Sequence, residues 1–137
     1  MSVAKPPVTA ELIWSENLVF NATSAKVAFV TDGGSTLGPS PVQLLAVSLA
    51  ACMSMDVVDI VRKGRHPLTA FRCQFTGERA PEHPHRLLKV QLHFHLEGNV
   101  PQAAVERAIA LSHDKYCSVW HSMRQDIELS TTVDITP

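Results

Sequence analysis

Ser40-Pro41-Val42-Gln43-Leu44-Leu45-Ala46-Val47-Ser48-Leu49-Ala50-Ala51-Cys52-Met53-Ser54-Met55-Asp56 is the stretch on which the fold turns. Ser40 is a good helix N-cap, and Pro41 suits the first helical position, where a backbone N–H would have no intrahelical partner. Gln43 completes an S-x-x-Q capping box. The pattern predicts a helix from Pro41 to about Lys63. Arg62, Lys63 and Arg65 fall where the negative end of the helix dipole lies, and Gly64 and Pro67 stop it. From Leu44 to Met55 the helix is apolar nearly all round, so most of its sides must be covered. One side suits a sheet; in a chain of 137 residues further cover is expected from a second subunit. The apolar run falls short of the ~20 residues that cross a bilayer, and Asp56 and Asp59 follow at once. The expectation is a buried helix and no membrane partner.

Three short alternating segments precede this helix. Val8, Ala10, Leu12 and Trp14 share one face of a first strand, Leu18 to Ala22 form a second, and Val27 and Phe29 alternate with Lys26 and Ala28 in a third. Thr31-Asp32-Gly33-Gly34-Ser35 reads as a loop, with Gly33-Gly34 too short for a phosphate cradle. After the helix, Phe71, Cys73 and Phe75 alternate with Arg72 and Gln74. Val90, Leu92, Phe94 and Leu96 alternate with Gln91, His93, His95 and Glu97. Pro81 and Pro84 mark the connection between these strands. A second helix is expected from about Pro101, with Ala104, Val105, Ala108, Ile109 and Leu111 inward, ending near Tyr116. Ile127, Leu129, Thr131, Val133 and Ile135 share a face of the last strand. No repeat or long linker divides the chain, so one domain over residues 1–137 is expected. The order βββ-α-ββ-α-β gives an α+β fold with a mostly antiparallel sheet.

Composition excludes several classes of function. Apolar residues make up 45%, too many for a disordered chain, and the net charge is −1 from 12 basic and 13 acidic residues. That balance draws the chain neither to nucleic acid nor to an anionic membrane. Met1 to Glu11 holds no apolar core of a signal peptide. Three cysteines, Cys52, Cys73 and Cys117, are too few and too odd in number for a disulfide scaffold. A cytoplasmic, reducing setting suits free thiols.

The cysteines are the main candidates for chemistry. Cys52 lies mid-helix, where Asp56 at i+4 shares its face and disfavours a thiolate; a small core residue is the plain alternative. Cys117, in Lys115-Tyr116-Cys117-Ser118, has a cation two residues away. If Ser118 opens a new helical segment, Cys117 sits at that segment's positive end, which favours a thiolate. Cys73 alternates in phase with Phe71 and Phe75 and reads as core. His113, Cys117 and His121 would form a metal-binding row only on one unbroken helix, and His93 and His95 lie on a polar strand face. Neither C-x-x-C nor H-E-x-x-H is present, so no metal is expected. Asp56 and Asp59 read as the wet edge of the helix, with Arg62 or Lys63 as partners.

Two segments carry a resemblance. Gly38-Pro39-Ser40-Pro41-Val42-Gln43-Leu44-Leu45, through Ala50-Ala51-Cys52 to Asp56-Val57-Val58-Asp59-Ile60, resembles the central cysteine helix of the OsmC/Ohr family. Lys115-Tyr116-Cys117-Ser118-Val119, before a final strand, resembles its second cysteine site, and the wording around both is nearest the YhfA-like branch. The resemblance covers nearly the whole chain. It implies an OsmC-like fold, with antiparallel sheets wrapped around a long central cysteine-bearing helix in an intertwined homodimer. It further implies reduction of small-molecule organic hydroperoxides, in defence against oxidative stress. Cys52 would be the peroxidatic nucleophile and Cys117 the resolving thiol, with a dithiol as reductant and no cofactor. The peroxidases also use an N-terminal arginine to hold the thiolate and a glutamate near the helix start to hold that arginine. Here no arginine precedes Arg62, and the corresponding helix positions are Val42 and Gln43. The alternative is a non-peroxidase protein of the same fold that binds a small apolar or thiol-reactive ligand at the dimer interface.

Overall fold

The capping box forms as its sequence predicts. The Gln43 N–H donates to Ser40 Oγ at 3.3 Å and the Ser40 N–H donates to Gln43 Oε1 at 2.9 Å, so two of the orphan donors at the helix start are satisfied. The helix they open, α1, runs Pro41–Lys63. The computed structural model describes residues 4–137. The other elements are β1 (Ala10–Glu16), β2 (Val19–Ser24), β3 (Val27–Asp32), β4 (Leu68–Arg79), β5 (Leu87–Gly98), α2 (Gln102–Leu111), a π-helical turn (Ser112–Tyr116), the single-turn helix α3 (Ser118–His121) and β6 (Glu128–Thr136). The chain forms two compact units, Met1–Leu45 and Ala46–Pro137.

In the first unit, β1, β2 and β3 form an antiparallel sheet in that order. Thr31 and Asp32, expected in a loop, close β3. The Asp32 carboxylate then organises the turn that follows by accepting backbone N–H bonds from Gly34, Thr36 and Leu37. Those bonds, that from Leu37 foremost, hold its pKa below the usual carboxylate value. Gly38 is needed as glycine, because a Cβ there would stand 2.1 Å from the Val30 carbonyl oxygen. Every residue of β1 is exposed, including Leu12, Ile13 and Trp14.

In the second unit, β4, β5 and β6 form a mixed sheet. β4 pairs antiparallel with β5, and β5 pairs parallel with β6, from Lys89 opposite Glu128 to Glu97 opposite Thr136. A parallel neighbour needs a crossover, and α2, the π turn and α3 supply it. The alternation read from the sequence sets the inner face. Val90, Leu92, Phe94 and Leu96 are buried with Leu49, Met53, Val57 and Val61 of α1, and with Val105, Ala108 and Trp120 of the crossover. The α1 stripe at positions 49, 53, 57 and 61 repeats every four residues, as a face laid on a sheet should.

The remaining faces of α1 carry a second apolar stripe: Val47, Ala51, Met55 and Val58. Val47 is 61% and Met55 70% exposed, so this chain does not cover them. By length and apolarity α1 also qualifies as a membrane span. Its opposite stripe is nevertheless packed into the core against the sheet.

Two endings differ from expectation. Helix α1 stops in a Schellman motif, with His66 N–H donating to Val61 O at 3.3 Å and Arg65 N–H to Arg62 O at 2.9 Å. The left-handed residue is Arg65, at φ 62°, and not Gly64. Helix α2 ends at Leu111; the segment to Tyr116 widens into the π turn.

Candidate functional site

Cys52 lies on the flank of α1, between the buried stripe and the exposed one. It is half-buried, whereas Cys117 is sealed in the core, and neither is in a disulfide. The Cys52 thiol lies near enough to Cys117 to raise its pKa. The structure therefore brings together the two cysteines singled out in the sequence.

Cys117 owes its position to the end of the π turn. Its N–H donates to the Ser112 carbonyl at 2.8 Å, the i→i−5 bond that defines the widened turn. Its own backbone is extended, at φ −72° and ψ 99°, and it caps α3: the Cys117 sulfur accepts the Trp120 N–H at 3.3 Å. Ser118 thus opens a new helical turn as the sequence implies, but the expected thiolate does not follow. Burial above all, and then proximity to Cys52, push the Cys117 thiol up to about 11, against the help of the Trp120 and Val119 N–H groups. Lys115, read as a nearby cation for the thiol, instead places its Nζ 5.2 Å from the centre of the Tyr116 ring. At neutral pH Cys117 is a thiol.

Cys52 meets a hydroxyl: its sulfur is 3.9 Å from Ser118 Oγ. Arg62, Arg65, Arg72 and Arg86, which could stand in for the missing N-terminal arginine, are engaged or distant. Arg86 reaches Asp126 at 4.0 Å and the carbonyl of the adjacent Leu87 at 3.2 Å. Arg72 stands on the β4 face opposite Cys73. Arg62 lies ten residues further along α1, about 15 Å at the helical rise. Arg65 lies beyond the helix end.

One turn after Cys52, the Asp56 carboxylate accepts the Ser112 hydroxyl at 2.7 Å. Ser112 is fully buried. No sequence pattern singles out Ser112; a serine joined to a carboxylate far away in the chain leaves no local signal. Asp59 pairs with Lys63 at 2.9 Å, one of its two expected partners.

Cys73, read as core, is half-buried on the β4 face that packs against α1. Burial raises its pKa, opposed by the Ser54 hydroxyl. That hydroxyl is otherwise buried without a hydrogen-bond partner.

The metal row considered for His113, Cys117 and His121 does not form, because the helix that would align them breaks at Cys117. His113 Nδ1 faces Asp114 at 2.8 Å, and His121 Nε2 donates to the His113 carbonyl at 2.9 Å. His93 meets Thr132 at 2.7 Å and His95 meets Asp134 at 3.0 Å, both across the parallel β5–β6 pairing. Among the described residues, no group of three or more histidine, cysteine or carboxylate side chains gathers to hold a metal.

Residues 32–132 match the sequence profile described as OsmC-like protein. The chain is 33% identical to Protein YhfA of Escherichia coli strain K12 over 129 residues, covering 92% of this chain and 96% of that one. A hypothetical protein from Aquifex aeolicus VF5 has the same fold, with a TM-score of 0.89 at 25% identity, covering 96% of this chain and 97% of the other. An organic hydroperoxide resistance protein OsmC from Legionella pneumophila superposes with a TM-score of 0.71 at 18% identity, over 96% and 99% of the two chains, a likeness of fold alone. With two sheets, a long cysteine-bearing helix and a second cysteine in the crossover, the chain belongs to the OsmC-like protein family.

Proposed function

We propose that this protein is a cytoplasmic, homodimeric, thiol-dependent reductase of organic hydroperoxides, with Cys52 as nucleophile and Cys117 as resolving thiol. The observation that carries the reading is the unequal pair: a half-buried thiol on α1 beside a sealed thiol held protonated up to about pH 11. A two-step reduction needs that asymmetry. The Cys52 thiolate attacks the hydroperoxide, the O–O bond breaks, the alcohol leaves with a proton, and Cys52 becomes a sulfenic acid. Cys117 then attacks that sulfur, water leaves, and a disulfide joins the two. A dithiol restores both thiols by exchange. A Cys117 thiol that resists ionisation stays out of the first step. Fold likeness to proteins named for hydroperoxide resistance supports the substrate class.

A second subunit accounts for the surface that one chain leaves bare. The stripe with Val47 and Met55, and the β1–β3 residues Leu12, Trp14, Val27 and Phe29, expose more large apolar surface than a monomer ordinarily leaves in water. In this reading the two compact units act as one domain once two copies assemble, and the second copy, not a bilayer, covers α1.

One observation favours a second reading. The Cys52 sulfur meets the neutral Ser118 hydroxyl, and the N-terminal arginine that the resemblance calls for is missing before Arg62, which suits a protein that binds a small apolar or thiol-reactive ligand at the dimer interface without turning over peroxide. Stopped-flow thiol counting with cumene hydroperoxide separates the two. The reductase loses two thiols per hydroperoxide, far faster than free cysteine does, and the Cys52→Ser variant loses none at that rate. Oxidation no faster than that of free cysteine would leave the binding reading standing.

A further inference from the structure

Cys117 is held by a chain of hydrogen bonds that begins on the other cysteine's helix. Asp56, one turn beyond Cys52 on α1, accepts the Ser112 hydroxyl at 2.7 Å. The Ser112 carbonyl accepts the Cys117 N–H at 2.8 Å across the π turn. That widened turn leaves the His113 carbonyl to His121, whose Nε2 donates to it at 2.9 Å. Ser112 is fully buried, so its hydroxyl has no water to exchange for this carboxylate. The π turn is thereby fixed to the same helix face that presents Cys52.

We propose that Ser112, through its hydrogen bond to Asp56, is a positioning residue that fixes the π turn and so sets the Cys117 sulfur against Cys52, favouring closure of the Cys52–Cys117 disulfide. This rests on the pairing of the two cysteines but not on peroxide as oxidant. The Asp56 carboxylate, read from the sequence as a wet edge, acts as an anchor whose hydrogen-bond acceptor matters more than its charge.

The test is equilibration of the reduced full-length protein, carrying Cys73→Ser, with glutathione redox buffers. One glutathione disulfide breaks, two glutathione thiols form with the two protons the cysteines release, and the protein pair is oxidised. The equilibrium constant is the effective concentration of one thiol at the other. Ser112→Ala is expected to lower it about tenfold, the order set by one hydrogen bond onto a carboxylate. Asp56→Ala should lower it similarly, and adding it to Ser112→Ala should cost little more. Asp56→Asn keeps an acceptor for the Ser112 hydroxyl and should retain most of the wild-type value. If Ser112→Ala proves too unstable to measure, the comparison of Asp56→Ala with Asp56→Asn decides by itself. An effective concentration unchanged within twofold in these alanine variants, whatever happens to their melting temperatures, overturns the inference while leaving the cysteine pair intact. A wild-type protein that closes no disulfide in any buffer overturns both. A normal wild-type titration with the expected losses in the alanine variants, from a protein inert to hydroperoxide, supports the inference and removes only the peroxidase.

Discussion

Raising the pH from 7 to 9 should speed the attack of Cys117 on an oxidised Cys52 about a hundredfold. The perturbation is pH alone, and the magnitude comes from the buried setting of Cys117. With its thiol pushed up to about 11 from an ordinary 9.0, its thiolate fraction throughout the range below 9 is about a hundredfold smaller than that of an unperturbed cysteine, and it grows tenfold for each pH unit. Thiolate and not thiol is the attacking species, so the rate follows that fraction. The assay needs no peroxide. In a Cys73→Ser protein, Cys52 is converted to its mixed disulfide with thionitrobenzoate, and release of the coloured thiolate by Cys117 is followed at each pH. The logarithm of the rate should climb with a slope near one from pH 7 to 9 and bend above that, short of 11, because the part of the shift owed to the Cys52 thiol is lost once Cys52 is in a disulfide. A plateau reached at or below pH 9 would refute the reasoning, because it would show that burial does not govern the resolving thiol.

The same cause has a consequence for stability. A thiol whose pKa is raised on folding keeps its proton where the unfolded chain has lost it, so the folded state is favoured below pH 9 and loses that advantage as pH rises through 11. The denaturant midpoint of the reduced protein should fall over that window, and Cys117→Ala should fall less; parallel curves for the two proteins would contradict this. Met55→Glu places a charge on the 70% exposed residue of the second α1 stripe. Losing a buried methionine side chain alone costs roughly 1.5–3 kcal/mol per subunit, so sedimentation velocity should show the dimer dissociating at least tenfold more readily. An unchanged monomer–dimer equilibrium would remove that face from the interface. Ser118→Ala removes the hydroxyl at 3.9 Å from the Cys52 sulfur and should slow the reaction of Cys52 with hydroperoxide about fivefold, the scale of one modest hydrogen bond. A rate equal to wild type would mean that Ser118 does not serve in place of the arginine.

Much of this architecture was legible in local patterns because local physics decides it. Ser40 and Gln43 satisfy each other's backbone groups within one turn, so the start of α1 could be read to the residue. The period-two alternation of Val90, Leu92, Phe94 and Leu96 marks a strand with one face in the core. The all-round apolar helix foretold a surface that this chain alone leaves uncovered. What could not be read depends on distant partners. Nothing in Ser112-His113-Asp114-Lys115-Tyr116 distinguishes a π turn from the end of an ordinary helix; the hydroxyl bond to Asp56 accompanies it. The parallel pairing of β6 beside β5 is a matter of topology. At Arg65 a left-handed cap was taken by a residue that pays a steric cost, where Gly64 was the local favourite. For Cys117 the helix-start position was read correctly, yet its effect on the thiol was outweighed by burial, which needs the packed core to be seen.

In the proposed function Cys52 and Cys117 act as one redox pair. The most direct measurement is mass spectrometry of the reduced protein after one equivalent of cumene hydroperoxide, with unreacted thiols alkylated before digestion. The expected product is a peptide joining Cys52 to Cys117 by a disulfide, with Cys73 alkylated. A sulfinic acid left on Cys52 with Cys117 alkylated, or a disulfide that draws in Cys73 instead, would contradict it.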